Sequence, residues 1–136
     1  MKRREQRECI FQLLFRVEFN GQEEMPEQAE MFMEDVRQEH TPREQDEAYI
    51  LDKYAKIVEK LPRLDQMLEE VSEGWKITRM GKVELTILRL AVYEMFFDED
   101  IPEKVAINEA VELSKKFGGD EAPGFVNGVL AKLAKK

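Results

Sequence analysis

The sequence predicts an all-α fold: a compact bundle of about seven helices, in two small subdomains, around a buried central helix at about residues 82–97. Three observations predict it. Every long apolar segment repeats with a helical period, and no stretch shows the strict alternation of a half-buried strand. Residues 82–97, KVELTILRLAVYEMFF, are apolar on nearly all sides, the pattern of a helix enclosed by others. The length, 136 residues, fits one domain or two small subdomains sharing a core, here divided at about 1–73 and 74–136.

The elements follow in order. Residues 3–19 place Ile10, Leu13, Leu14 and Val17 on one face, and Asn20-Gly21 stops that helix. A second helix runs from Pro26 to about Gln38 with a thin apolar side of Ala29, Phe32, Met33 and Val36. Thr41-Pro42-Arg43-Glu44 reads as a capping box opening a third helix to about Lys60, with Ile50, Tyr54, Ile57, Val58 and Leu61 inward. Pro62 starts a fourth, carrying Leu64, Met67, Leu68 and Val71, and Gly74-Trp75 marks a break before the central helix. A sixth helix spans 103–117, with Ala106, Ala110, Leu113 and Phe117 in one stripe and Gly118-Gly119 as its C-terminal cap. Pro123 begins a seventh, with Val126, Leu130 and Leu133 inward.

The formal net charge is −8, which on its face argues against a polyanionic ligand. The charge is segregated, however. Residues 18–47 hold eleven Asp or Glu against Arg37 and Arg43, a net −9, so the remainder is +1. The first seven residues carry Lys2, Arg3, Arg4 and Arg7. One cysteine (Cys9) excludes an internal disulfide, and one histidine (His40) excludes a zinc site of ordinary spacing. Gln12 and Arg16 interrupt any signal-peptide core, and no run reaches the ~18 apolar residues of a membrane helix. A soluble, cytoplasmic protein is expected.

Enzyme signatures are missing: there is no phosphate-binding glycine loop, and His40 sits in a polar loop unsuited to a catalytic triad. Asp98-Glu99-Asp100 reads as a solvated loop, and Cys9 as a small buried hydrophobe. Two constellations stand out. On the first helix Arg4, Arg7, Phe11 and Phe15 share a stripe away from the apolar face, where guanidiniums meet phosphates and rings stack on unpaired bases; the alternative is that a neighbouring helix covers the rings. In the last helix, Asn127 and Gly128 are poor helix formers, which leaves Asn127 to read a base edge and Gly128 to admit close approach, or else to pack inward. Asn108 is expected to be buried between two helices or to serve a ligand.

Trp75 through Glu94, then KVAINEAVEL at 104–113, Phe117-Gly118 and FVNGVL at 125–130 resemble the bacterial transcription antitermination factor NusB family. The Arg-rich start with Gln12, Leu14 and Phe15 is similar to that family's beginning. The resemblance implies a helical fold of two small subdomains and no enzymatic activity or cofactor. It implies binding of single-stranded boxA RNA together with a small-subunit ribosomal protein acting as NusE. The pair would join the RNA polymerase antitermination complex on ribosomal RNA operons; a homodimer or a protein-only scaffold is the alternative. The family's RNA-contacting arginines match Arg3, Arg4 and Arg7. The aromatic that is usually Tyr is Phe15 here, which keeps stacking and loses a hydroxyl. The FVN motif maps to Phe125 and Asn127, Gly124 replaces a basic residue of some relatives, and Glu84 is the candidate for the ribosomal-protein face. A similar module fronts some ribosomal RNA cytosine methyltransferases, but a chain ending at Lys136 leaves no length for their catalytic domain.

Overall fold

The computed structural model describes residues 1–72 and 76–135. Among them are six α-helices and a short 3₁₀ turn. The helices are α1 (Arg3–Val17), α2 (Met25–His40), α3 (Glu44–Val71), α4 (Lys82–Phe96), α5 (Glu103–Phe117) and α6 (Ala122–Ala134), and the turn is Ile77–Arg79. The fold is all-α, as the periodicity predicts, with one helix fewer than expected. The two helices expected on either side of Pro62 are one continuous α3 with the proline inside it. Ile50, Ile57, Leu64 and Val71 are buried at seven-residue spacing, while Pro62 faces solvent. One apolar stripe therefore runs in phase through the proline, and burying it outweighs the ~3 kcal/mol that an interior proline costs a helix. The break expected at Gly74-Trp75 lies outside the described residues.

The chain divides into two compact units, Met1–Val58 and Glu59–Lys136. This division falls within α3, whereas the pattern of breaks in the sequence suggests one near 73/74.

In the first unit α1 packs against α2. The Lys2 backbone N–H donates to the Glu5 carboxylate at 2.9 Å, capping α1 and lowering the Glu5 pKa. Arg16 reaches from α1 to α2, where it donates to the Gln28 side-chain oxygen at 3.0 Å and stacks over the Phe32 ring. Arg37 pairs with Glu30, Glu34 and Glu47 at 3.1, 3.3 and 2.8 Å, so part of the acidic block is neutralised within its own unit.

The capping box expected at Thr41 is not used. Thr41 instead ends α2 in the left-handed region, with φ 44°, and its hydroxyl donates to the His40 carbonyl. Pro42 follows this stop. The N-terminal cap of α3 lies two residues later, where Asp46 accepts from the Arg43 backbone N–H at 2.9 Å. The same carboxylate accepts from Gln6 at 2.8 Å and from the Met1 amino group at 3.3 Å, tying the start of α1 to α3.

In the second unit α4 packs against α5 and α6, which also pack on each other. Ile87, Leu88, Leu90, Ala91 and Val92 are essentially inaccessible, so α4 is buried around its circumference as its composition requires. Arg89 leaves this core by a bidentate pair with Asp65 of α3, both bonds at 2.8 Å. Gly118 ends α5 in extended backbone, with φ −97°, rather than in the left-handed cap the glycine pair suggests. Its role is close approach. A Cβ there would lie 2.6 Å from the Ala122 Cβ and 2.9 Å from the Ser114 carbonyl oxygen, so glycine lets α6 start directly beside the end of α5.

Candidate nucleic-acid and partner interface

The expected site residues fall in both units: Arg3, Arg4, Arg7 and Phe15 in the first, Glu84, Phe125 and Asn127 in the second. Each set is built by its own helices.

On α1 the exposed stripe divides. Arg3 and Arg4 are exposed, whereas Arg7 and Phe11 are buried and Phe15 is half-buried. The reading of Arg7 and Phe11 as surface groups is corrected. At 100° per residue the buried positions Gln6, Arg7, Cys9, Ile10, Phe11, Leu13 and Leu14 cover roughly 200° of the helix. Ile10, Leu13, Leu14 and Val17 mark only the centre of that arc. Phe15 stacks between its helical neighbours, with ring centroids 6.2 Å from Phe11 and 5.1 Å from Phe19. The ladder runs from a buried ring to an exposed one.

A feature missing from the sequence reading stands beside the arginines. Tyr49 of α3 lies under the Arg3 guanidinium, 4.7 Å from its ring centroid, and its hydroxyl accepts from Lys53 at 3.2 Å. Together these residues place an aromatic ring between two cations at the start of α1. The only sequence trace is that Tyr49 and Lys53 are one turn apart.

In the second unit Glu84 occupies the third position of α4, where the helix dipole favours a carboxylate. A Cβ at Gly81 would strike this carboxylate, so Gly81 gives it room to fold over the helix end. Glu84 and Phe125 line one cleft of about 330 Å³, together with Arg79, Met80 and Glu121. The structure thus brings together the residue expected to meet protein and one expected to meet RNA, and adds Arg79 and Glu121. Asn127 is exposed on α6, two residues from Phe125 and therefore about 160° around the helix, so the FVN motif does not present both to one face. Gly128 is also exposed, with open space where a Cβ would stand, which excludes inward packing.

The remaining candidates resolve simply. Asn108 is exposed on α5, so it does not hold two helices in register. Cys9 is buried, and desolvation pushes its thiol up to about 11, making it a poor nucleophile. His40 closes α2 with Nδ1 3.6 Å from the Glu5 carboxylate. Asp98 accepts from the Asp100 backbone N–H at 3.1 Å, and the described residues hold no cluster of three metal-ligating side chains. No described helix is long and apolar enough to cross a membrane.

Comparison with known proteins places this arrangement in context. The family model described as the NusB family matches residues 4–135. The transcription antitermination protein NusB of Agathobacter rectalis is 50% identical over 134 residues, covering 98% of this chain and 100% of that protein. That of Ruminiclostridium cellulolyticum is 41% identical over 135 residues, covering 99% and 90%. Among solved structures, T. maritima NusB superposes with a TM-score of 0.86 at 32% identity, over 100% of this chain and 92% of that one. A crystal structure of antitermination factors NusB and NusE in complex with dsRNA matches with a TM-score of 0.81 at 28% identity, over 99% and 98%.

Proposed function

The chain belongs to the NusB family of transcription antitermination proteins, which are not enzymes, and on that premise we propose that it binds boxA-type single-stranded RNA jointly with a small-subunit ribosomal protein in the NusE role. The observation that carries the RNA and NusE parts of this reading is its likeness, over nearly its whole length, to a structure holding NusB, NusE and dsRNA; the preference for a single boxA strand rests on the family resemblance. Arg3 and Arg4, exposed at the start of α1, supply phosphate contacts, and the half-buried rings of Phe15 and Phe125 stack on unpaired bases. Glu84 and Glu121 at the α4 cleft offer carboxylates to a basic ribosomal protein. The complex acts in the cytoplasm on RNA polymerase transcribing ribosomal RNA operons.

Fluorescence anisotropy tests the reading, using a labelled boxA RNA, a scrambled single strand and a duplex of equal length, each with and without the ribosomal protein. The boxA strand should bind most tightly, and tighter still with the protein present. If about four phosphates are engaged, log affinity should fall with log salt at a slope of about −3. Equal affinity for all three RNAs, or a salt-independent affinity, would sink it. Sedimentation in the same buffers separates this reading from a homodimer that uses the same surface without RNA.

A further inference from the structure

Phe125 borders two clefts of opposite electrostatic character. The one it shares with Glu84 presents two carboxylates against one guanidinium. The other, about 280 Å³, lies where the end of α3 meets α6; among the described residues its lining presents Lys132 and no carboxylate. Ser72 lines this second cleft. Its backbone N–H donates to the Leu68 carbonyl at 3.0 Å, ending α3. The residue is only 7% exposed, and its hydroxyl oxygen has no hydrogen-bond partner among the described residues. A buried hydroxyl left unpaired is unfavourable, and a ligand that supplies the partner removes the penalty.

The rest of the cleft is shaped by omission. Gly124 and Gly128, one turn apart on α6, have nothing within 4 Å of where a Cβ would stand, so the helix backbone forms a bare floor. Phe125 and Val129 supply apolar walls, and Lys132 follows one turn further along the same side of the helix.

We propose that this cleft seats one unpaired nucleotide of a single-stranded RNA, with the base against Phe125 and Val129, the Ser72 hydroxyl hydrogen-bonded to a polar edge, and Lys132 on the adjoining phosphate. The inference rests on the RNA-binding reading above and divides the labour around Phe125: nucleic acid on the Lys132 side, basic protein on the Glu84 side. A flat ring with a polar edge and an attached anion matches all three features. A free phosphate would leave the apolar walls unmatched. At about 280 Å³ the cleft falls just below the usual range for ligand pockets, about 300–1,000 Å³, so it has room for no more than one nucleotide.

The test uses the full chain and two probes, a boxA-type RNA and an oligouridylate of equal length, each also carrying 4-thiouridine for crosslinking. Gly128→Leu fills the cleft from an exposed helical position, and Ser72→Ala and Lys132→Gln remove its polar groups. Gly128→Leu should weaken RNA binding about tenfold, the scale of losing one stacked base, with no fall in melting temperature. Lys132→Gln should make the salt slope shallower by about 0.7. Crosslinks of the wild-type chain should map to α6 around Phe125–Val129. If the wild-type chain binds RNA and Gly128→Leu binds it equally well, the cleft assignment is overturned while RNA binding stands. If Gly128→Leu retains RNA but loses the ribosomal protein, the cleft belongs to the protein and the assignment is again overturned. If the wild-type chain binds neither probe, with or without the ribosomal protein, the RNA reading itself fails and takes the cleft with it.

Discussion

α1 is buried over roughly 200° of its circumference, whereas the buried residues of α6, Ala122, Val126, Val129, Leu130 and Leu133, span roughly 100°. The difference decides what each helix offers a ligand. A helix covered so widely keeps its long side chains for the interior, and only its exposed first turn, Arg3 and Arg4, remains for phosphate. A helix covered along one stripe keeps two flanks, and on α6 these differ. One carries Asn127, and the other carries Phe125, Gly128 and Lys132. Basic and aromatic residues at helical spacing therefore mean different things on the two helices. The cause is the number of neighbours, which no single helix encodes.

Substitutions break or sharpen this contrast. The largest effect is expected at Phe11. Truncation to Ala should cost about 3–5 kcal/mol in urea denaturation, as for a core aromatic, and an unchanged midpoint would return Phe11 to the surface. Arg7→Ala should cost about 2 kcal/mol, since Arg7 lies in the buried arc. Arg4→Ala, at an exposed position, should stay within about 0.5 kcal/mol of wild type while weakening RNA binding, with a salt slope shallower by about 0.7. Glycines give the next contrast. Gly128→Ala should raise stability by up to about 1 kcal/mol, because the helix gains propensity and the space is open. Gly118→Ala should lower it, because the new Cβ meets Ala122 and the Ser114 carbonyl. Thermal melts of both variants read the opposite signs directly.

Legibility in the sequence followed the range of the physics involved. Periodicity is local, so α5 was expected over 103–117 and is Glu103–Phe117, and α4 was expected over 82–97 and is Lys82–Phe96. Pro62 misled because proline is a local stop signal, although the heptad phase of Ile50, Ile57, Leu64 and Val71 already crosses it. Thr41 misled for a similar reason. Its side chain suits a helix start, but the chain needs a left-handed stop for α2 first. Both clefts beside Phe125 depend on residues far apart in sequence, Ser72 with Lys132 and Glu84 with Glu121, and no spacing rule reaches that far. Phe125 and Glu84 were legible only through the family resemblance, and the approach of their side chains only through the fold.

The smallest expected effect concerns how the start of α1 is held for phosphate binding, a constraint α6 lacks. Asp46 accepts hydrogen bonds from the Arg43 backbone N–H and the Gln6 amide and sits beside the Met1 amino group. These partners favour the ionised carboxylate, the Arg43 bond most of all, and hold its pKa below the usual aspartate value. Because the folded-state pKa is the lower one, the unfolded chain binds the proton more readily, and the stabilisation is present above the unfolded value of about 3.9. It is lost as pH falls through that value and then through the depressed native one. Wild type should therefore be more stable than Asp46→Asn near pH 7, and the gap should narrow as pH falls through the unfolded value and on through the depressed native one. RNA affinity at neutral pH should fall slightly in Asp46→Asn, because Arg3 and Arg4 then sit on a less firmly held helix start. A stability gap that stays constant from pH 7 to pH 3 would show that the carboxylate charge plays no part in fastening α1.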